Sequence, residues 1–228
     1  MKEFPMFFND EMVRALLDGR KTQTRRPVAK VSLDNSLVIR KASRNRDGVY
    51  THVMDAPKHG LCPFGSVGDR IWVREAWSLL GNEDGCPIDW NGNLVKEGGA
   101  DAARIYRASC EQKPGNYGLW SIPDHADWKP HTENEQFDGS WTPSIHMPRW
   151  ACRILLEITD VRVERVSSIS NDDAGKEGYP ANPAPYGGEM DKWLWFRQLW
   201  DGLYPELTFK VNPWVWVIEF KRINGAAL

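Results

Sequence analysis

Between Gly19 and Arg26 the chain places four cations, Arg20, Lys21, Arg25 and Arg26, beside two hydroxyls, Thr22 and Thr24. A run of charge is most often a solvated face. Three features point to chemistry as well. The segment follows a helix stop directly, so one end of its backbone is fixed. Lys21 is flanked by three arginines, and neighbouring cations together with burial lower a lysine pKa and make the amine usable as a base. Lys21 and Thr24 are three residues apart. In a regular strand they face opposite ways, but in a turn they converge. A lysine beside a threonine hydroxyl can then activate it, as in the Ser-Lys variants of acyl-transfer sites.

The elements around this segment can be read from pattern. Asn9 is a good N-cap, Asp10 and Glu11 suit a first turn, and Met12, Val13, Leu16 and Leu17 form one apolar face. The spacing predicts a helix over 10–18, ended by Gly19. Pro27 disfavours helix at Arg26. A turn at Gly65–Asp69 leads into Arg70–Trp77, rich in β-branched and aromatic residues and predicted as a strand. Residues 80–142 are rich in Gly, Pro, Asn and Asp and read as a long elaboration with short strands. Ile154–Ile158 is predicted as a strand that Val161, Val163 and Val166 continue. Ser170 and Asp173 form a capping box opening a short helix that Gly178 stops. Pro180, Pro183 and Pro185 mark an irregular loop. Trp193, Phe196, Leu199, Trp200 and Leu203 predict a helix over 189–203. Trp214–Phe220, apolar on both sides in its middle, predicts a buried central strand. No repeat and no composition break divides the chain, so a single domain over 1–228, with an insertion at about 80–142, is expected.

The spacing of Gly19, Lys21 and Arg26 resembles the Gly-x-Lys-x-x-Glu-x-Arg signature of ASCH domains, a branch of the PUA-like superfamily. Thr24 stands where that signature has Glu. A group of bacterial ASCH proteins also carries Thr there, in a Gly-Arg-Lys-Thr-x-Thr run, and those enzymes hydrolyse N4-acetylcytidine to cytidine. The resemblance implies an α+β fold with a PUA-like bent β-sheet or open barrel core and flanking helices. It implies Lys21 as base, Thr24 as nucleophile and Glu177, in Ala174-Gly175-Lys176-Glu177, as third catalytic residue. The phrases Trp72-Val73-Arg74-Glu75, Ile145–Trp150 and Pro213–Val217 are similar to a phage or prophage type of ASCH-like protein. About half of the chain carries the resemblance.

Three further residues are candidates for substrate binding. Arg26 closes the motif. Glu75 alternates with aromatics on its strand, and it suits a hydrogen bond from a cytosine amino group, a pair with Lys21 or Arg26, or a plain edge-strand ion pair. Arg149 precedes Trp150, a combination suited to base stacking, although a core position is the simpler reading for Trp150. A solvated helix-end position is the simpler reading for Glu177 outside the resemblance.

The five histidines and four cysteines show no metal-ligand spacing, so no metal is expected, and no cofactor. The net charge of −2 gives no global field for a long polyanion. No apolar run is long enough for a signal peptide or a membrane span, and a cytoplasmic location with free cysteines is expected. The expected partner is a small nucleoside or single modified base. Three alternatives stay open: a non-catalytic reader of modified bases or RNA, an RNA-cleaving ASCH protein, and a phage accessory protein using its tryptophans as an interface.

Overall fold

The computed structural model describes residues 1–82, 84–96, 98–113, 116–117, 141–181 and 190–223. In chain order the elements are β1 (Glu3–Phe7), α1 (Asp10–Leu17), β2 (Gln23–Pro27), β3 (Ser36–Arg40), β4 (Val49–His52), β5 (Arg70–Arg74), β6 (Trp77–Leu79), β7 (Arg104–Tyr106), α2 (Arg107–Cys110), β8 (Glu111–Lys113), β9 (Asn116–Tyr117), β10 (Leu155–Arg165), α3 (Asn171–Lys176), α4 (Asp191–Leu203) and β11 (Trp214–Ile223). The fold is mixed α+β. Five strands form one open sheet in the order β1-β5-β10-β11-β2, and three two-stranded pairs, β3-β4, β6-β7 and β8-β9, complete the strands.

The chain divides into two compact units. One holds Met1–Phe4, Ala15–Ile71 and Leu156–Ile223, and the other holds Pro5–Arg14 and Trp72–Leu155. Composition does not signal this division, because each unit draws on segments far apart in sequence.

In the first unit β11 is flanked by β10 and β2, and Val215, Val217 and Ile218 are wholly buried. The double-sided apolar pattern of that strand has this cause: a central strand is covered on both faces. Val215 and Val217 pack with Val166, Ile169, Ala174, Phe196, Trp200 and Phe209. Phe196 and Trp200 are one turn apart on α4, and each contributes about 1.5–3 kcal/mol or more by leaving water. Trp200 keeps its indole N–H satisfied on the Leu207 carbonyl at 2.7 Å. Ser170 Oγ accepts the Asp173 N–H at 3.0 Å and caps α3, while the Asp173 carboxylate turns to Arg162 and Lys176 rather than closing the predicted capping box.

Two expectations need correction. The segment after Gly19 is not a free loop or turn throughout: Gln23–Pro27 is an edge strand, antiparallel to β11, with Thr24 opposite Ile218 and Arg25 opposite Val217. Pro27, which has no N–H, is tolerated because it ends an edge strand. Trp150 is not a core residue. It is 38% exposed, meets Trp77 edge-on at 5.3 Å and lies under the Arg104 guanidinium at 5.7 Å. Much of the expected elaboration over 80–142, and the prolines at 183 and 185, lie outside the described residues. Among the described residues no helix is long and apolar enough to cross a membrane.

Within the second unit, Glu75 is wholly buried on the segment after β5, and Arg153 grips both its carboxylate oxygens at 2.9 and 2.8 Å. The same guanidinium lies 4.0 Å from the Tyr106 ring centroid, and Tyr106 donates its hydroxyl to the Ala151 carbonyl at 2.8 Å. Burial pushes the Tyr106 phenol up from 10.0 to about 12. The unfolded chain therefore releases that proton first, and stability falls as pH rises from 10.0 to about 12. Tyr106→Phe is expected to flatten this alkaline loss by up to about 3 kcal/mol while costing about 1 kcal/mol at neutral pH. Urea midpoints of both proteins on either side of this window check it, and parallel alkaline losses would refute it.

Candidate active site

The candidate site is assembled where α1 ends, β2 begins and α3 ends. Gly19 takes a φ of +75° and turns the chain back, so that the Lys21 N–H reaches the Ala15 carbonyl of α1 at 2.9 Å. Lys21 then bridges to Glu177 in antiparallel fashion, and the Thr22 N–H bonds the Lys176 carbonyl at 2.9 Å. Gly178 makes this close approach possible. Its φ is +103°, and a Cβ there would sit 2.9 Å from Ala15 Cβ and 3.3 Å from Lys21 Cβ. Only glycine fits without moving backbone or Lys21.

The Lys21 side chain is wholly buried. Its Nζ donates to the Glu177 backbone carbonyl at 2.7 Å and to Glu177 Oε2 at 2.9 Å. Glu177 is 4% exposed, so the solvated helix-end position does not hold. Its other carboxylate oxygen accepts from Arg25 Nη1 at 3.0 Å. Arg25 is buried too, and its second branch reaches Glu164 Oε1 at 2.6 Å and Asp173 Oδ2 at 3.6 Å. Gln23 accepts from Arg25 and donates to Glu219 Oε1 at 2.9 Å. Arg162 stands at the rim, touching Glu219, Asp160 and Asp173. Two buried cations thus share one buried carboxylate, and the partly exposed Glu164 and Asp173 supply the remaining negative charge.

Burial lowers the Lys21 pKa below its ordinary value, and the Arg26 and Arg25 charges press in the same direction. Glu177 opposes them, through its charge and its hydrogen bond. The result is an amine closer to neutrality than a surface lysine. A neutral lysine has two N–H donors and one lone pair. Glu177 takes two donors, which leaves the lone pair for a proton.

Of the other expected site residues, Thr24 is 2% exposed on β2. Strand alternation sends it to the face opposite Gln23 and Arg25, together with Arg26 and with Ile218 across the ladder. Among the described residues its hydroxyl has no hydrogen-bond partner, Lys21 included. Arg26 donates to the Tyr204 hydroxyl at 3.2 Å. Glu75 and Arg149 belong to the second unit, and Glu75 has Arg153, not Lys21 or Arg26, as its bidentate partner. Burial raises the Glu75 pKa against the pull of Arg153. The structure therefore brings Lys21 and Glu177 into contact and places Thr24 and Arg26 together on the opposite face of β2 from Gln23 and Arg25.

No family model, curated protein or solved structure matches this chain.

Sequence reasoning misses Arg25, Gln23, Glu164 and Asp173 as partners in this cluster. The signal was available in part. Lys21, Gln23 and Arg25 are spaced by two, and so are Arg162 and Glu164 on β10, which is the period of one strand face. Reading 20–27 as a turn hides the first of these.

Proposed function

We propose that this protein is an amide hydrolase that removes the acyl group from N4-acylated cytidine or a related nucleoside. The observation that carries the reading is the wholly buried Lys21 amine, held by two hydrogen bonds to Glu177 on the segment that also contains the buried Thr24. The resemblance of Gly19, Lys21, Thr24 and Arg26 to ASCH enzymes supports it, and the open sheet with its helices is read as a PUA-like core. In this scheme Thr24 Oγ1 attacks the acyl carbonyl carbon and its hydroxyl proton passes to Lys21 Nζ. This requires the two side chains, on opposite faces of the segment and without a mutual hydrogen bond in the free protein, to meet when substrate binds. The C–N4 bond then breaks, and the proton passes from Lys21 to the departing amine. Water, deprotonated by Lys21, hydrolyses the acyl ester and restores Thr24. Glu177 orients Lys21 throughout and stabilises its ammonium form. Arg26, on the Thr24 face, is read as a substrate contact. No cofactor enters this scheme.

A second reading, a non-catalytic binder of a modified base, is favoured by one observation: Thr24 makes no hydrogen bond to Lys21 and faces away from Arg25. Incubation with N4-acetylcytidine, followed by the ultraviolet change as cytidine forms, separates the two. Turnover is expected. A folded protein that binds the nucleoside without releasing cytidine would leave the binder in place of the enzyme.

The pH profile tests the role of Glu177. If neutral Lys21 is the base, kcat/KM rises with pH along a limb whose midpoint lies below the ordinary 10.5 of a lysine. Glu177 raises the Lys21 pKa, so Glu177→Gln is expected to move this limb to lower pH in the residual activity. An unmoved limb would remove Glu177 from the proton path.

A further inference from the structure

Strands β3 and β4 form a hairpin that projects four cations from its tip. Val38 pairs with Tyr50 and Arg40 with Val49 in the ladder, and Ser43 and Arg46 close the tip with reciprocal backbone hydrogen bonds of 2.8 and 3.2 Å. Residues 40–46 hold Arg40, Lys41, Arg44 and Arg46 and no acid. All seven are exposed. Among the described residues none of these four cations has an ion pair, and Arg40 reaches only the Asp47 carbonyl at 3.5 Å. The chain as a whole carries −2, and the tip over 40–47, with Asp47 counted, bears +3, so all other residues together bear −5. A cationic tip on an otherwise acidic protein is a local field, and it attracts a polyanion to that one place.

An aromatic ring stands beside this charge. Tyr50 is 56% exposed and packs over Gly48, where a Cβ would lie 2.7 Å from Tyr50 Cε2. The glycine lets the ring rest on the backbone and keep much of its surface open. Tyr50 also borders an open depression with Ser32, Leu33, Asp34 and Ser36, which gives room for a ring beside it. The base of the hairpin is fixed: Asn35 Oδ1 accepts from Trp214 Nε1 at 2.8 Å and from Arg165 Nη2 at 3.2 Å.

We propose that the β3–β4 hairpin binds the backbone of a single-stranded nucleic acid, with Arg40, Lys41, Arg44 and Arg46 on phosphates and Tyr50 stacked on a base. Cations that follow the backbone and an aromatic platform for the bases are the combination that single strands require. The order of residues disfavours a lipid surface. A membrane-seeking element buries apolar side chains with cations around them, whereas here 41–47 contain no apolar residue larger than Ala42 and the exposed Val38, Val49 and Tyr50 sit behind the charge. This inference is independent of the hydrolase reading.

The test is fluorescence anisotropy with a labelled, unmodified oligoribonucleotide of about 12 nucleotides. Four phosphate contacts give a slope of log affinity against log salt of about −2.8. Replacing Arg40, Lys41, Arg44 and Arg46 together by Gln is expected to bring that slope near zero and weaken low-salt binding by at least about tenfold. A control with Lys2, Lys58, Arg197 and Lys210 replaced by Gln removes the same charge from other exposed positions and is expected to bind as the parent does. Tyr50→Ala is expected to weaken binding about tenfold with the slope unchanged. No binding by the parent, an equal loss in the control, or hairpin-dependent binding to phosphatidylserine vesicles without binding to the oligonucleotide would overturn the proposal. The probe carries no acyl group, so failure here leaves nucleoside turnover intact, and failure of turnover leaves this titration intact.

Discussion

Lys21→Met is expected to lower kcat/KM for N4-acetylcytidine by at least about a thousandfold, and Thr24→Val by a similar factor. Both replacements keep the volume of a buried side chain. Lys21→Met also leaves Glu177 to Arg25 alone, so it is expected to lose stability while the amine is removed, and Thr24→Val removes only the hydroxyl. The size of the effect follows from chemistry. A threonine hydroxyl is a weak nucleophile, and its activation depends on a base that is neutral near working pH. Burial is what lowers the Lys21 pKa, and Glu177 occupies two donors without blocking the lone pair. If the two residues work as one unit, the double variant is expected to be no slower than the worse single variant. Steady-state rates, with thermal unfolding to show that each variant is folded, decide the matter. Multiplying losses would mean that the two act separately, and full activity in Thr24→Val would move the nucleophile elsewhere.

How much of this was legible in the sequence depended on whether local pattern or long-range pairing placed a residue. Asn9, Gly19, Ser170 and Gly178 act within one or two turns, and their capping and stopping roles are seen in the structure as the sequence predicts. The apolar stripe of α4 and the double-sided β11 were equally readable, since periodicity reports the covered faces. The strand Gln23–Pro27 was not. Its apolar content is low, and its pairing partner Trp214–Ile223 lies about 190 residues away, so nothing local announces it. The burial of Glu177 was hidden for a related reason. A glutamate at a helix end reads as solvated, and only the meeting of Gly178 with Ala15 and Lys21 closes that end against α1. Glu75 shows the converse. Alternation marked a charge that had to be buried, but several partners were possible, and the choice of Arg153 rests on a segment 78 residues away.

The same burial makes Glu177 a large stability determinant, whatever the catalytic outcome. Glu177→Leu is expected to cost about 3–5 kcal/mol, because Lys21 and Arg25 both lose a buried carboxylate. A buried pair is expensive to break from one side and cheap to replace whole. Lys21→Met combined with Glu177→Leu is therefore expected to recover at least half of that loss, with Arg25 still held by Glu164 and Asp173. The pH dependence gives a second handle. A buried lysine with a lowered pKa binds fewer protons folded than unfolded in the window between that lowered value and 10.5. Stability then rises with pH through this window. In Glu177→Leu the raising influence of the carboxylate is gone, the window widens downward, and the deficit against the parent shrinks as pH rises and Lys21 becomes neutral. The double variant, which has no lysine, shows no such recovery. Urea denaturation of the parent and both variants at neutral and alkaline pH reads all of this. A deficit in Glu177→Leu that does not change with pH would mean that the buried charge of Lys21 is not its cause, and that the loss comes from packing at the end of α3.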